Sequence, residues 1–591
     1  MKTEWNLDVI YQGLDDPAYE EDIAGLTQTI ERLGDFLRKY EERQAGKTVK
    51  EPERETVEAL LTLMEEMEDL GEKLMQYVGL RQQADTQNGE LMAQINRLQR
   101  ILADATPHTT AAKKILAAVS DVDAMAGESE LVKEYAFLLK ENKEEAKHML
   151  EDAVESMISA MNMTGGEAWS SLRDYLTSTL RVEYRGEEIT LSEVRNLAYS
   201  PDRKVRRDAY EAEVKAYEKI QDSVAFAINN IKNQVIMLAD KRGYDSVLGM
   251  TLIQSRMNRE TLDAMMEAIR EYLPVFRKYL RKKAQLLGYE KGLPWYELFA
   301  PMGKADTKYT VEEAGEYLVR CFGEFSSDMA GLMQEAFDNQ WIDFYPKKGK
   351  AGGAFCSGVY RRKESRILTN FDGYFGSVGT LAHELGHAYH NRQLEGERIL
   401  NQGYSMPVAE TASTFNEIHL GEYALRGAKG EERLNLLQND LQDQTQVIMD
   451  IYSRYLFESN VFERCRSSFL MAKDLNAMML EAQKEAYGDG LDQDCLNPGM
   501  WICKSHYYRT GLSFYNFPYA FGNLFALGLY AMFKEEGEAF VAKYRKMLRA
   551  TSTCSVEDAG RMMGIDFGKK EFWKAGLEEI ASRVELFVTE F

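Results

Sequence analysis

Apolar residues recur at helical spacing over most of this chain. Leu60, Leu63, Met64, Met67, Leu74, Tyr77 and Val78 line one face, with Glu and Lys opposite, which predicts a long amphipathic helix whose Met and Leu stripe enters a core. The first 180 residues read as a series of such helices. A Lys- and Glu-rich run over Leu139–Ser156 predicts a helix with a solvated face, and Thr164-Gly165-Gly166 punctuates two helices. The period changes at Arg181–Leu191, where Val182 and Tyr184, then Ile189 and Leu191, flank Arg185-Gly186 and predict a hairpin. That change marks an expected boundary between an N-terminal helical lobe over 1–180 and a second domain over 181–591. Helical patterning resumes to about Leu287 and again over Val311–Phe337. A strand cluster follows at Trp341–Tyr345, at Ala354–Tyr360 after the loop Lys347–Gly353, and at Arg366–Phe371. Helices return from Val378 almost to the C-terminus. No internal repeat or low-complexity segment interrupts the pattern. The expected class is mainly α, with a small β-sheet.

Composition narrows the choice of partners. The 591 residues are 45% hydrophobic, enough for a sizeable core, and carry a formal net charge of −23. That acidity excludes a nucleic-acid partner, which would need clustered Lys and Arg, and otherwise reads as solubility. Six cysteines (Cys321, Cys356, Cys465, Cys495, Cys503 and Cys554) include no Cys-x-x-Cys pair and are expected as free thiols in a reducing cytoplasm. The opening residues turn acidic at once, so no signal peptide is expected. No stretch approaches the roughly 18 apolar residues of a membrane span. Oligomeric state is not legible.

The chemistry gathers at His383-Glu384-Leu385-Gly386-His387. On a helix His383, Glu384 and His387 share one side, and Val378, Leu381, Ala382, Leu385, Ala388 and Tyr389 gather opposite. Histidines four apart sit one turn apart, so both imidazoles can reach one tetrahedral Zn2+, with Glu384 beside it to take a proton from water. Seven histidines in 591 residues give this spacing with an intervening acid by chance in about one chain in a hundred. The pattern is that of a zinc peptidase. Zinc needs a third protein ligand. His390 lies about 10.5 Å along the axis from His383, too far for ligands with arms of about 2 Å, and is expected to be structural. The segment Tyr404–Glu417 opens with Pro407 at a helix start and carries Glu410 and Glu417 two turns apart; one can bind the metal while the other accepts a ligand histidine's N–H. His419 falls on the opposite side of that helix.

Thr380–His390, followed by Pro407–Glu417, resembles the oligoendopeptidase F branch of the thimet oligopeptidase family. The likeness extends to Trp5-Asn6-Leu7, Gly165–Trp169, Gly353-Ala354-Phe355 and a C-terminal cluster from His506 to Tyr519. It implies His383, His387 and Glu410 as ligands of one zinc ion per chain and Glu384 as general base, which leaves Glu417 as the outer-shell member of the spaced pair. It also implies two helical lobes around a deep channel, with the zinc site in the catalytic domain over 181–591, and short unstructured oligopeptides as substrates. His506, Tyr515 and Tyr519 are mapped as donors to the transition-state oxygen and Tyr508 as a further substrate contact, although the spacing between histidine and tyrosines departs from the family's pattern. Tyr507 and Phe517 are expected in the core, and Gly511 suggests a mobile loop. Ser377 stands where many relatives carry an acid, so the outer shell there must be built differently.

The expected reaction is zinc-dependent cleavage of internal peptide bonds, with Gly353, Ala354 and Phe355 pairing with extended substrate backbone or serving as an ordinary sheet edge. A metallocarboxypeptidase on a similar scaffold would need a group that captures a terminal carboxylate. A non-catalytic peptide-binding relative would have no use for Glu384.

Overall fold

A computed structural model of the chain describes residues 2–44, 51–304 and 307–591. It is mainly helical, with five short strands: β1 (Arg181–Tyr184), β2 (Glu187–Thr190), β3 (Ile342–Asp343), β4 (Phe355–Val359) and β5 (Glu364–Leu368). The chain forms two compact units, each assembled from separated stretches. The first comprises Met1–His148, Asp306–Tyr404 and Glu538–Cys554; the second comprises Met149–Ala305, Ser405–Gly537 and Ser555–Phe591.

In the first unit the helices Pro17–Gln44, Arg54–Ala84 and Gly89–Ala117 pack around a shared core. The expected stripe from Leu60 to Val78 is buried throughout. The Lys- and Glu-rich run is two helices instead of one, Ala136–Ala146 and Asp152–Thr164, divided between the two units. The sheet has the order β3-β5-β4, with β3 parallel and β4 antiparallel to β5. All three strands are shorter than their patterns predict: Trp341 and Phe344 flank the two-residue β3, and Tyr360 begins a 3₁₀ turn after β4. The chain's start is tied to this sheet. Asn6 N–H donates to the Gln340 carbonyl (2.8 Å), Phe344 N–H to the Thr3 carbonyl (3.0 Å), and Trp5 packs its ring 6.2 Å from Phe355. β4 is an edge strand, and Gln76 covers part of its outer edge by donating to the Ser357 hydroxyl (2.9 Å) and the Gly358 carbonyl. The helix Phe375–Leu394 packs on β4, β5 and the helix Glu538–Ala550.

The second unit is built around the helix Phe517–Glu536, in which nearly every residue from Phe517 to Tyr530 is buried. A helix apolar on all sides needs partners on all sides, and Thr411–Gly427 and Lys570–Glu590 supply two of them. The hairpin β1–β2 turns at Arg185 and Gly186, both at positive φ (51° and 87°), the conformation that matches the strands' right-handed twist.

Candidate metal centre

The helix Phe375–Leu394 is anchored at its start by Asp372, whose carboxylate accepts from Tyr374 N–H (3.0 Å) and the Ser377 hydroxyl (2.7 Å). Ser377 therefore works with an acid five residues earlier, which fixes the helix start. Val378, Leu381, Ala382, Leu385, Ala388 and Tyr389 are buried, as the wheel requires. His383 and His387 are half-buried on the other side, their ring centroids 4.9 Å apart at 81°. Glu384 is only 5% exposed, so its carboxylate is held out of bulk water. Burial and the charge of Glu384 push the Cys356 thiol up, which puts the start of β4 within electrostatic reach of that carboxylate.

Glu410 enters differently from the continuous helix its sequence suggests. A short helix, Met406–Ala409, begins near Pro407 and ends at Glu410 (φ −92°, ψ 5°), and Thr411–Gly427 starts afresh. Glu410 thus occupies the bridge region between two helices, which invalidates a wheel drawn through it to Glu417. The Ser413 hydroxyl donates to Glu410 Oε2 (2.8 Å) and also lies 3.1 Å from the Glu410 carbonyl. Behind it, a Cβ on Gly522 would meet Glu410 Cβ and the Pro407 carbonyl at 3.3 Å, so a side chain there would push the Glu410 segment back by a few tenths of an ångström.

One ligand atom from each of His383, His387 and Glu410 lies within 4.8 Å of the others. Tetrahedral zinc with arms of about 2 Å separates its ligand atoms by about 3.3 Å, so the three need close only slightly. Two imidazole nitrogens and one carboxylate oxygen, with a fourth position left over, form the donor set of a catalytic zinc site. The residues fit the ion.

Other candidates divide clearly. His390 is fully buried, stacked on Tyr404 at 4.2 Å, with Nε2 2.8 Å from Thr551 Oγ1. His419 is buried beside Tyr530 and Phe533. Both are structural, as expected. Glu417 keeps accessible surface, and its charge helps hold the Asp443 carboxyl up at about 7, after burial and Asp440. His506 lies 5.0 Å from the Tyr515 ring, and Tyr519 donates to the Tyr515 hydroxyl oxygen (3.0 Å). Burial, the bond to Tyr515 and the charge of Glu410 push the Tyr519 hydroxyl up. His506, Tyr515, Tyr519 and Glu410 thus form one neighbourhood. Tyr508 does not join it: it is fully buried, donates to the Trp501 carbonyl (2.9 Å) and lies under the Arg173 guanidinium, which corrects its expected substrate role. Gly353 is at φ 78° and Ala354 precedes β4, so of the three expected backbone contacts only Phe355 is extended strand.

Three supporting residues escaped the sequence reading. Ser413 could have been found as the hydroxyl three residues after Glu410. Gly522 carries no such signal. Phe514, which directly precedes Tyr515, has φ 53°, which is strained for a residue with a side chain, and its ring stacks on Phe462 at 5.3 Å.

Comparison with known proteins now decides the lineage. Residues 196–317 and 324–579 match peptidase family M3, and residues 120–181 match the family described as Oligopeptidase F. The chain belongs to peptidase family M3. Within that family it lies on the oligoendopeptidase F branch and is a metalloendopeptidase. It is 26% identical over 579 residues to Oligopeptidase PepF of Bacillus subtilis, covering 96% of this chain and 84% of that protein. It is 23% identical over 603 residues to an oligoendopeptidase F homolog of Lactococcus lactis, covering 99% and 96%. Two solved structures share the fold: a candidate peptidase from Chlamydophila abortus (TM-score 0.85, 19% identity, 100% and 98% covered) and oligoendopeptidase-F from Enterococcus faecium (TM-score 0.68, 19% identity, 99% of each).

Proposed function

We propose that this M3 peptidase cuts internal bonds of short oligopeptides with one Zn2+ held by His383, His387 and Glu410. The convergence of those three ligand atoms beside the buried Glu384 carries the reading. Its relatives' names, oligopeptidase and oligoendopeptidase F, support the substrate class. Bound zinc would supply a Lewis acid that polarises the scissile carbonyl and acidifies water. Glu384 accepts a proton from the attacking water and returns it to the leaving nitrogen. The hydrogen bond from Tyr519 to Tyr515 leaves the Tyr515 proton free, which supports Tyr515 as the donor to the developing oxyanion. His506, pushed down to about 4 by burial and by Arg454, Lys504, Arg509 and Arg173, is neutral at pH 7 and can donate from one nitrogen. The outer edge of β4 at Phe355 and Cys356 offers backbone groups to an extended peptide. The six cysteines are free thiols and no described helix is long and apolar enough to cross a membrane, which supports a cytoplasmic setting.

A peptide blocked at both ends provides the test. The wild type should cut it internally, and a chelator should stop it. Glu384→Gln should keep stoichiometric zinc and lose turnover by about 10²–10⁴-fold. Full activity in that variant sinks the mechanism, and resistance of every blocked peptide points to a carboxypeptidase.

A further inference from the structure

The second unit contains a cavity of about 360 Å³ that no step above uses. Its size falls within the roughly 300–1,000 Å³ of ligand sites. Tyr199, Tyr296 and Phe299 contribute aromatic walls; Arg195, Lys504 and Asp443 contribute charge. Most of the surrounding charges are already matched. Arg195 pairs with Glu213 (2.6 Å), Arg206 with Glu297, and Arg454 with Asp450. Lys504 is the exception among the cations. Its ammonium makes no hydrogen bond or ion pair with any described residue, although it is half-buried and burial lowers its pKa. Asp443 lines the same cavity without reaching Lys504, and its elevated pKa keeps it about half protonated near neutrality. Asp450 reaches the Lys504 ammonium only through its more distant charge, and an ammonium withdrawn from bulk water with no carboxylate at bonding distance favours an anion from outside the chain.

The cavity also shares a chain segment with the proposed machinery and is electrostatically linked to it. Lys504 is two residues before His506 and opposes its protonation, while Asp443 feels the charge of Glu417. We infer that this cavity is a substrate subsite in which Lys504 holds a carboxylate of the bound peptide. The inference rests on the peptidase reading and adds a chemical class to its substrates. The carboxylate has two sources, the peptide's own C-terminus or an acidic side chain, and the aromatic walls take the residue that carries it.

Binding separates this idea from turnover. Zinc-loaded Glu384→Gln protein is titrated, by fluorescence anisotropy, with one labelled pentapeptide in three forms: free C-terminal carboxylate, C-terminal amide, and amide with Asp at the last position. The carboxylate form should bind about tenfold or more tighter than the plain amide, the range of a charge-assisted hydrogen bond. Adding Lys504→Gln should erase that preference, and Lys504→Arg should retain it. Recovery of tight binding by the Asp amide assigns the side chain as a source; no recovery assigns the C-terminus alone. A second measurement needs no variant at position 504: acetyl-phenylalanine should compete with the carboxylate peptide better than its amide does. Equal binding of the carboxylate and plain amide forms, or a preference that survives Lys504→Gln, overturns the subsite. If the wild type cleaves none of the peptides while the binding preference holds, the peptidase reading fails and the subsite stands; cleavage without preference gives the reverse.

Discussion

Three residues beyond His387, His390 illustrates how burial settles a histidine's role. The Thr551 hydroxyl donates to the Leu548 carbonyl (2.7 Å), so it accepts from His390 Nε2–H, which fixes the neutral tautomer. Burial, and secondarily the charge of His387, push this imidazole down to about 3. In the unfolded chain a histidine titrates near 6.5, so the unfolded state binds the extra proton first as pH falls. The stability His390 contributes is complete above about pH 6.5 and is lost as pH falls toward 3. His390→Gln should lower the urea midpoint at pH 7, and its deficit against the wild type should narrow by pH 4 when both proteins are measured in chelator. A deficit that stays constant between those pH values would show that protonation of His390 is not linked to unfolding. The residues legible from sequence share one property, that their geometry is local. His383, Glu384 and His387 lie within one helical turn, and the turn alone places them. The role of Tyr508 was less legible, because the loop that carries it and Tyr515 has no period and includes Phe514 at φ 53°.

At the scale of elements, the legible parts were those whose periodicity runs unbroken. The stripe from Leu60 to Val78 and the apolar face opposite His383 needed only 3.6-residue spacing. The break at Glu410 was hidden because Met406–Gly427 is patterned as one helix, and the interruption is a tertiary effect of packing against Phe517–Glu536. Gly522 is the contact point. Valine there would put branched carbons into Glu410 Cβ and the Pro407 carbonyl, both already at 3.3 Å from a bare Cβ. Neither obstacle is a flexible side-chain end, so the Glu410 segment must move. Gly522→Val is expected to weaken zinc affinity by about 10–100-fold, as changes behind a metal ligand do, while far-UV circular dichroism keeps its helical signal. Unchanged affinity in competition with a chromophoric chelator would mean that the short helix yields without carrying the carboxylate with it.

At the scale of the whole molecule, the interleaving of the two units was beyond sequence reading, since hydrophobic periodicity reports on neighbours along the chain and not on which distant stretches share a core. The sheet illustrates the point: Thr3 and Asn6 bond to residues near 340, a pairing that no local pattern announces. Metal binding gives this organisation a thermodynamic handle. An ion that binds only the folded chain stabilises it by mass action, about 4 kcal/mol at a thousandfold excess over Kd. A chain of 591 residues is too long for a single two-state transition, so the informative quantity is the zinc-dependent shift of the melting curve and not an absolute free energy. A net charge of −23 also invites weak zinc binding at surface carboxylates, which every variant shares. Zinc should raise the melting temperature of the wild type and of Glu384→Gln equally, because Glu384 is not a ligand. It should raise that of Glu410→Gln far less, because an amide oxygen is a poorer donor at a site built for a carboxylate. Equal shifts in Glu410→Gln and the wild type would remove Glu410 from the site, and with it the three-ligand centre on which the catalytic reading depends.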